Sequence, residues 1–477
     1  LFTAWINDNQ LTNDMIWQRF HMAIAKEQIE LAKYLVSLLP AAEQPDANIW
    51  LQVRAEPKLI FNKTLFPAEK NSDNDILIYG IERLTLTDAD EAVSAWQLLR
   101  ADHQFNSAQA QQAIQAIAVS FIKGDHMRAI VWLQQIDPMY LNDTAKNWRL
   151  LFAIREQNWP LLMQWINQLS PIDKNDPEWQ YWYARALEHT GNAASAQIIY
   201  KGLATQRGYY GFLSAARVGM PFAISNSPQK VTPAEVQQFL ANPGIQRMRA
   251  LYAINQIDLG NAEWWFALQN MNDKQRYVAA KMAAKWHLYQ LAVATTNVLS
   301  YQNDLSLKYP TPYLKHVKKN AAAFNMDPAF IYAIVRQESM FDPQAVSYVG
   351  AQGLMQLMPA TAKMLVQQDK LPAIYANELT NPLVNIQLGS IYLNRLLNSN
   401  SVNPALAAAA YNAGPGRIKQ WLPLVGSVDL DVWVDSIPYS ETRNYVKHVL
   451  TYMIIYQHLL NKDPSLDRAL QPIASRS

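Results

Sequence analysis

The chain has 477 residues, with 41 Lys or Arg against 39 Asp or Glu, a formal net charge of +2 and no cysteine. That balance exerts no global pull toward nucleic acid, and the missing cysteine excludes disulfides, thiolate metal sites and a cysteine nucleophile. An apolar content of 50% excludes wholesale disorder, and no run of about eighteen apolar residues is present to span a membrane.

Glycine is scarce, 15 residues in all, so few positions can ask for positive φ. This disfavours a hairpin-rich β architecture and predicts a chain that is helical almost throughout. The chain opens at Leu1 without a basic, apolar and small-residue leader, and reads as a processed or trimmed product.

In chain order, Asp14 to Leu39 reads as a first helical unit. Residues 131–138 (VWLQQIDP) and 164–171 (QWINQLSP) then form a repeat, with Trp132 and Trp165 33 positions apart and Pro138 and Pro171 at matching offsets. Polar breaks at Gly124-Asp125, Gln157-Asn158, Gly191-Asn192 and Gly260-Asn261 continue the series. A period of about 34 is the length of one antiparallel helix pair, which cannot bury its apolar stripe alone and therefore stacks on its neighbours. Thirteen of the 15 tryptophans precede residue 300; their place beside leucines and isoleucines predicts core packing rather than a sugar-binding surface.

Phe222 to Pro233 carries serine and proline without apolar periodicity and reads as a connector. Helix resumes after it, including Glu263–Gln269 and Arg276–Leu299. Tyr309-Pro310-Thr311-Pro312 is a second break, beyond which six glycines crowd into residues 350–426. The function of the chain is expected in those loops.

Asp327-Pro328 opens a helix, with a capping side chain followed by proline at the first helical position. Ile331, Ile334 and Val335 mark its buried stripe, and Glu338 lies four residues past Ile334 on that same stripe. A carboxylate aimed at apolar surface in a last helical turn is pushed toward protonation by burial and by the negative helix end. A carboxylic acid of that kind is a general acid for a poor leaving group such as a sugar oxygen. The competing reading has Glu338 paired with a nearby Arg or Lys, Arg336 among them, and merely ending a helix.

Further along stand RQES (336–339), GLMQ (353–356), AYNAG (410–414) and SIPYSETR (436–443), in that order. The chain thereby resembles the large soluble lytic transglycosylases, which cleave bacterial peptidoglycan with a goose-type-lysozyme-like catalytic domain. The resemblance implies a mainly all-α fold in three parts: an α-superhelical array over 1–225, truncated at its N-terminus, a helical linker over 226–308, and a lysozyme-like α+β domain over 309–477. It also implies a Gram-negative periplasm, peptidoglycan strands as the substrate, a monomer, and cell-wall enzymes as partners of the array.

Carried over residue by residue, Glu338 would be the single acid/base at the bond between N-acetylmuramic acid and N-acetylglucosamine. No second carboxylate would serve as nucleophile; the sugar's acetamido group would assist and its C6 hydroxyl would close a 1,6-anhydro ring. Ser347, Gly353, Gln356, Met358, Tyr411, Asn412 and Glu441 would bind substrate, with the Tyr411 hydroxyl reaching the catalytic carboxylate. Gly350 would accompany Gly353 in letting backbone approach the sugar, while a loop cap for Ser347, core filling for Met358 and a first-turn acid for Glu441 stay open. Asp342-Pro343 reads as a turn, and Arg443, Tyr445, His448 and His458 carry weaker claims. Two other classes remain: a muramidase of the same fold that uses water, and a non-catalytic glycan-binding scaffold. No calcium-loop pattern, histidine pair at ligand spacing or phosphate-cradling loop is present, so no metal or cofactor is expected.

Overall fold

The computed structural model describes residues 11–68, 71–122, 126–300 and 303–475. The chain divides into two compact units, 1–152 and 153–477. The Gly124-Asp125 break lies outside the described residues.

In the first unit the stretch expected to be one helical unit is a helix pair, Asn13–Ala25 and Ile29–Leu38. Ile16, Phe20, Ala23 and Ile24 recur at three- and four-residue spacing and pack with Leu35 and Val36 in one buried cluster. Thr12 caps the first helix by accepting from the Met15 amide. Further helices follow at Gln44–Ala55, Asn74–Leu84, Ala89–Asp102 and Ser107–Ile122, each with buried apolar side chains.

The second unit begins with the same logic. Asn158 caps the helix Trp159–Asn167, and Gln157 before it takes a left-handed φ of 51°, so the expected break is a turn. Gly191, with φ 85°, separates Pro177–His189 from Ala193–Leu203. Trp159, Trp165, Trp179 and Trp182 are buried, as the apolar setting of the repeat implied; Trp132 is half-buried.

Two expectations need correcting. Gly260-Asn261 is not a break but lies inside the helix Ile257–Gln269, where the Tyr252 ring sits 2.4 Å from the position a Cβ would take. Glycine is there for close helix approach, at a cost of about 1 kcal/mol in helix propensity. Arg276–Leu299 is two helices, Asp273–Lys285 and Tyr289–Thr296, parted at His287 with φ 62°. No glycine or proline marks that turn in the sequence.

Residues 219–232 carry no helix or strand, and the next helix starts at Pro233 with Thr232 and Glu235 in a capping box. After the Tyr309–Pro312 break come the helix Leu314–Ala323 and then the Glu338 helix, Pro328–Ser339. It packs against the long C-terminal helix Ser440–Leu459, whose Val446, Val449, Leu450, Ile454 and Ile455 are buried. Tyr332 stacks on Tyr456 with ring centroids 5.1 Å apart. Asp327 fastens one end, since its carboxylate caps the Glu338 helix and also accepts from Gln457 at 2.8 Å and Lys462 at 3.0 Å. Sheet is minimal: the two-residue strands Ser427–Val428 and Ile473–Ala474 pair antiparallel, with Val428 opposite Ile473. The mainly α-helical class with a small β contribution holds.

Candidate active site

Glu338 is in the last turn of its helix, half-buried, with its apolar neighbours Ile331, Ile334 and Val335 almost wholly enclosed. Burial pushes its carboxyl up to about 7, and the nearby Glu441 acts in the same direction. Opposing both, the Tyr445 hydroxyl donates to Glu338 Oε1 at 2.6 Å. Burial holds the Tyr445 phenol well above its usual range, so it stays a donor.

Arg336 is not the partner of Glu338. Its Nε donates to the Lys308 carbonyl at 2.9 Å, and its guanidinium lies over the rings of Tyr309 and Tyr452. Burial, Tyr445 and Glu441 are the influences on Glu338, and among the described residues no Lys or Arg forms the helix-ending ion pair that competed with the acid reading.

The end of the helix is fixed by strain. Met340 and Phe341 both take positive φ, 50° and 69°, a conformation costly for large side chains. It is held because Phe341 is buried and because Ser339 Oγ donates to the Leu354 carbonyl at 2.8 Å while accepting from the Phe341 amide at 3.1 Å. Those bonds tie the carboxylate-bearing turn to the loop over residues 345–357.

That loop is tightly folded on itself. Gly353 has φ 77°, and a Cβ there would lie 2.1 Å from the Leu379 carbonyl oxygen and 2.4 Å from Asn385 Nδ2. Asn385, buried, is the loop's fastening. Its Nδ2 donates to the carbonyls of Gln352 and Leu379 at 2.9 and 2.8 Å, and its Oδ1 accepts from the Met355 amide at 2.7 Å. Sequence reasoning missed Asn385, since a lone Asn inside a helix gives no sign of satisfying a loop thirty residues away.

The expected binding residues divide. Gln356 turns its amide nitrogen to the Ala345 and Gly353 carbonyls at 3.0 and 2.9 Å, so that group serves the loop. Ser347 Oγ accepts from the Ala351 amide at 2.9 Å, which is the loop-cap arrangement. Gly350 takes φ 87° in the same loop. Met358 is partly exposed, directly before the helix Pro359–Gln368.

The Tyr411 hydroxyl does not bond the carboxylate, as its sequence reading expected. It donates to the Met355 carbonyl at 2.7 Å, although Tyr411 is near enough for Glu338 to raise its phenol further. Tyr445 fills the expected role instead. Its signal was present but faint: it stands four residues after Glu441, on the same helical face.

Asn412 joins two residues of the C-terminal helix, accepting from Thr442 Oγ1 at 2.6 Å and donating to Glu441 Oε1 at 3.4 Å. Glu441 is exposed in the helix's first turn. Arg443 donates to the Ile437 carbonyl at 2.7 Å. His448 stacks on Tyr452, and His458 is exposed in the last turn of its helix. Asp342 accepts from the Gln344 amide at 2.9 Å, which makes the expected turn.

The geometry thus presents one carboxyl poised between its charged and neutral forms near neutrality, with a phenol to hold it. Such a group can give a proton to a leaving oxygen and take one back.

The Transglycosylase SLT domain matches residues 315–433, the soluble lytic murein transglycosylase L domain matches 238–305, and the soluble lytic transglycosylase helical domain matches 436–465. The soluble lytic murein transglycosylase of Escherichia coli K12 is 27% identical over 491 aligned positions, covering 99% of this chain and 73% of the relative. The crystal structure of an inactive mutant of the lytic transglycosylase Slt from Pseudomonas aeruginosa superposes with a TM-score of 0.85 at 30% identity, covering 99% of this chain and 76% of that one. A 70-kDa soluble lytic transglycosylase in complex with bulgecin A gives a TM-score of 0.87 at 25% identity, covering 99% and 77%. This chain belongs to the soluble lytic transglycosylase family.

Proposed function

We propose that the chain is a peptidoglycan lytic transglycosylase in which Glu338 is the one acid/base. The observation that supports this reading is the half-buried Glu338 carboxyl, raised to about 7 and bonded by Tyr445 at 2.6 Å. In the first step protonated Glu338 gives its hydrogen to the oxygen joining N-acetylmuramic acid C1 to N-acetylglucosamine C4, and the C1–O bond breaks. The acetamido oxygen of the muramic sugar stabilises the electron-poor C1.

The C6 hydroxyl of the same sugar then attacks C1, and ionised Glu338 takes its proton. The products are a 1,6-anhydromuramic end and a free C4 hydroxyl, with no water consumed and Glu338 protonated again. An attacking group already attached to the substrate has an effective molarity of about 10⁵ M or more, so no second carboxylate is required to activate a water.

Substrate contacts by Ser347, Gly353, Gln356, Met358, Tyr411, Asn412 and Glu441 belong to the same proposal. Met358 and Glu441 support it best, being exposed; Ser347 and Gln356 would contribute through groups their loop bonds leave over. The division into 1–225, 226–308 and 309–477, a periplasmic location, a monomeric state and cell-wall enzymes docking on the helical array complete the reading. The L-domain and SLT-domain matches fall within the second and third of those parts, and no helix among the described residues is long and apolar enough to cross a membrane.

Mass spectrometry of products from purified sacculi tests the reading. Anhydro-muropeptides, one water lighter than their hydrolytic counterparts, are expected. Reducing-end products would establish the muramidase instead, and glycan binding without cleavage would establish a scaffold.

A further inference from the structure

The Ser440–Leu459 helix is used on two faces. Glu441, Thr442 and Tyr445 stand on the side that meets Glu338 and Asn412. Lys447, two residues past Tyr445, is turned about 200° around the helix axis. It is buried, 7% exposed, and its Nζ reaches Asp435 Oδ1 at 2.5 Å, the Tyr210 hydroxyl at 2.6 Å and Glu178 Oε1 at 3.2 Å. Asp435, 1% exposed at the end of the short helix Leu430–Asp435, is engaged from the other side by Trp182 Nε1 at 2.8 Å and the Tyr210 hydroxyl at 2.9 Å.

The helices Pro177–His189 and Tyr209–Val218 therefore grip the helix that carries the Glu338 partner. A second cluster fixes the start of the short helix, where Asp431 takes Tyr181 at 2.5 Å, Arg217 at 2.8 Å and Arg185 at 2.9 Å.

An ion pair buried this way gains little over apolar residues of equal volume, because desolvation offsets its Coulomb attraction. What it supplies is direction. Three short polar contacts on one ammonium add a directional restraint on the rotation and axial position of the helix to the apolar packing of Val446, Val449 and Leu450. That restraint matters on the opposite face, where one phenol must meet one carboxyl.

We propose that Lys447 and Asp435 are positioning residues for the reaction, locking the Ser440–Leu459 helix onto the helices over 177–218 so that Tyr445 is held on Glu338. The inference rests on Glu338 being the proton donor. On this view the helices over 177–218 take part in positioning the catalytic pair.

The groups facing Glu338 are Tyr445 and Glu441 from the C-terminal helix and Tyr411 from the helix Pro404–Ala413, while Arg336 on its own helix is engaged elsewhere. Loosening the lock lengthens the Tyr445 bond, removes an influence that favours the ionised carboxylate, and moves the carboxyl upward.

The test uses the full chain acting on purified sacculi. The double substitution Asp435→Asn with Lys447→Met removes both charges together, so neither is left buried and unpaired. It is expected to lower kcat about tenfold with KM within about twofold. The alkaline limb of the pH–rate profile is expected to move to higher pH. Tyr210→Phe, which removes only the bridging hydroxyl, shifts both readouts in the same direction and serves if the double variant does not fold. A folded variant with lower thermal stability but unchanged kcat and unchanged pH profile overturns the proposal. Activity retained by Glu338→Gln in the same assay would instead remove the functional reading beneath it.

Discussion

Tyr445 bonds Glu338 at 2.6 Å across 107 residues of sequence, and the bond works against the burial that raises the carboxyl. In the proposed reaction burial favours the neutral acid that would break the glycosidic bond, and the phenol favours the carboxylate that would accept a proton afterwards. A value of about 7 leaves both forms accessible near neutrality, as one group serving first as acid and then as base requires.

Glu338→Gln keeps the shape and an acceptor oxygen for Tyr445 but has no proton to give. Cleavage of sacculi should fall at least about a thousandfold, while circular dichroism and glycan affinity stay near those of the parent. Activity within about tenfold of the parent would contradict the role.

The same substitution has a sign-defined effect on stability. The folded carboxyl titrates near 7 against an ordinary value of 4.5, so the folded state prefers the neutral form. Below pH 4.5 both states are protonated and the residue has no pH-linked effect. As pH rises from 4.5 through 7 the unfolded chain ionises first, and stability drains away by about 3 kcal/mol. Glu338→Gln is immune to this loss. Denaturant melts should show the variant gaining on the parent across that window and holding the difference above it.

Removing the phenol's hydroxyl moves the acid in a known direction. Tyr445→Phe takes away the bond that lowers the Glu338 value, so the alkaline limb of the rate profile should shift upward. The rate on the plateau should drop about tenfold as the returning carboxylate loses its support. A limb that moves downward would mean the hydroxyl stabilises the neutral acid instead.

Gly353→Ala meets two obstacles, the φ of 77° and the Leu379 carbonyl 2.1 Å from the new Cβ. A loss of about 2 kcal/mol or more in a denaturant titration is expected, with activity falling because the loop bonds Ser339 beside Glu338. Asn385→Leu should cost about 3 kcal/mol, since it strands the Leu379 carbonyl and the Met355 amide and leaves the Gln352 carbonyl with only the Leu357 amide at 3.0 Å. Wild-type midpoints for either variant would show that the loop is not held as described.

What the sequence disclosed was local. Asp327-Pro328 and the Ile331, Ile334, Val335 stripe were enough to place Glu338 in a last turn facing apolar surface, because caps and helical periodicity act over a few residues. The serine- and proline-rich connector was readable for the same reason. Partners brought together by folding were not: Tyr445 and Tyr411 are both tyrosines on helices, and only tertiary packing decides which reaches the carboxyl. Ser347 and Gln356 show a different limit, since a hydroxyl or an amide suits a sugar and a backbone carbonyl equally well. Gly260 misled because a glycine needed for close helix approach looks the same in sequence as one that ends a helix.

The most direct measurement is the titration of the Glu338 carboxyl itself, read as the protonated C=O infrared band that is present in the parent and absent in Glu338→Gln. The account predicts a band that persists through mildly acidic solution and disappears with a midpoint near pH 7. A carboxyl already fully ionised at pH 5 would contradict it.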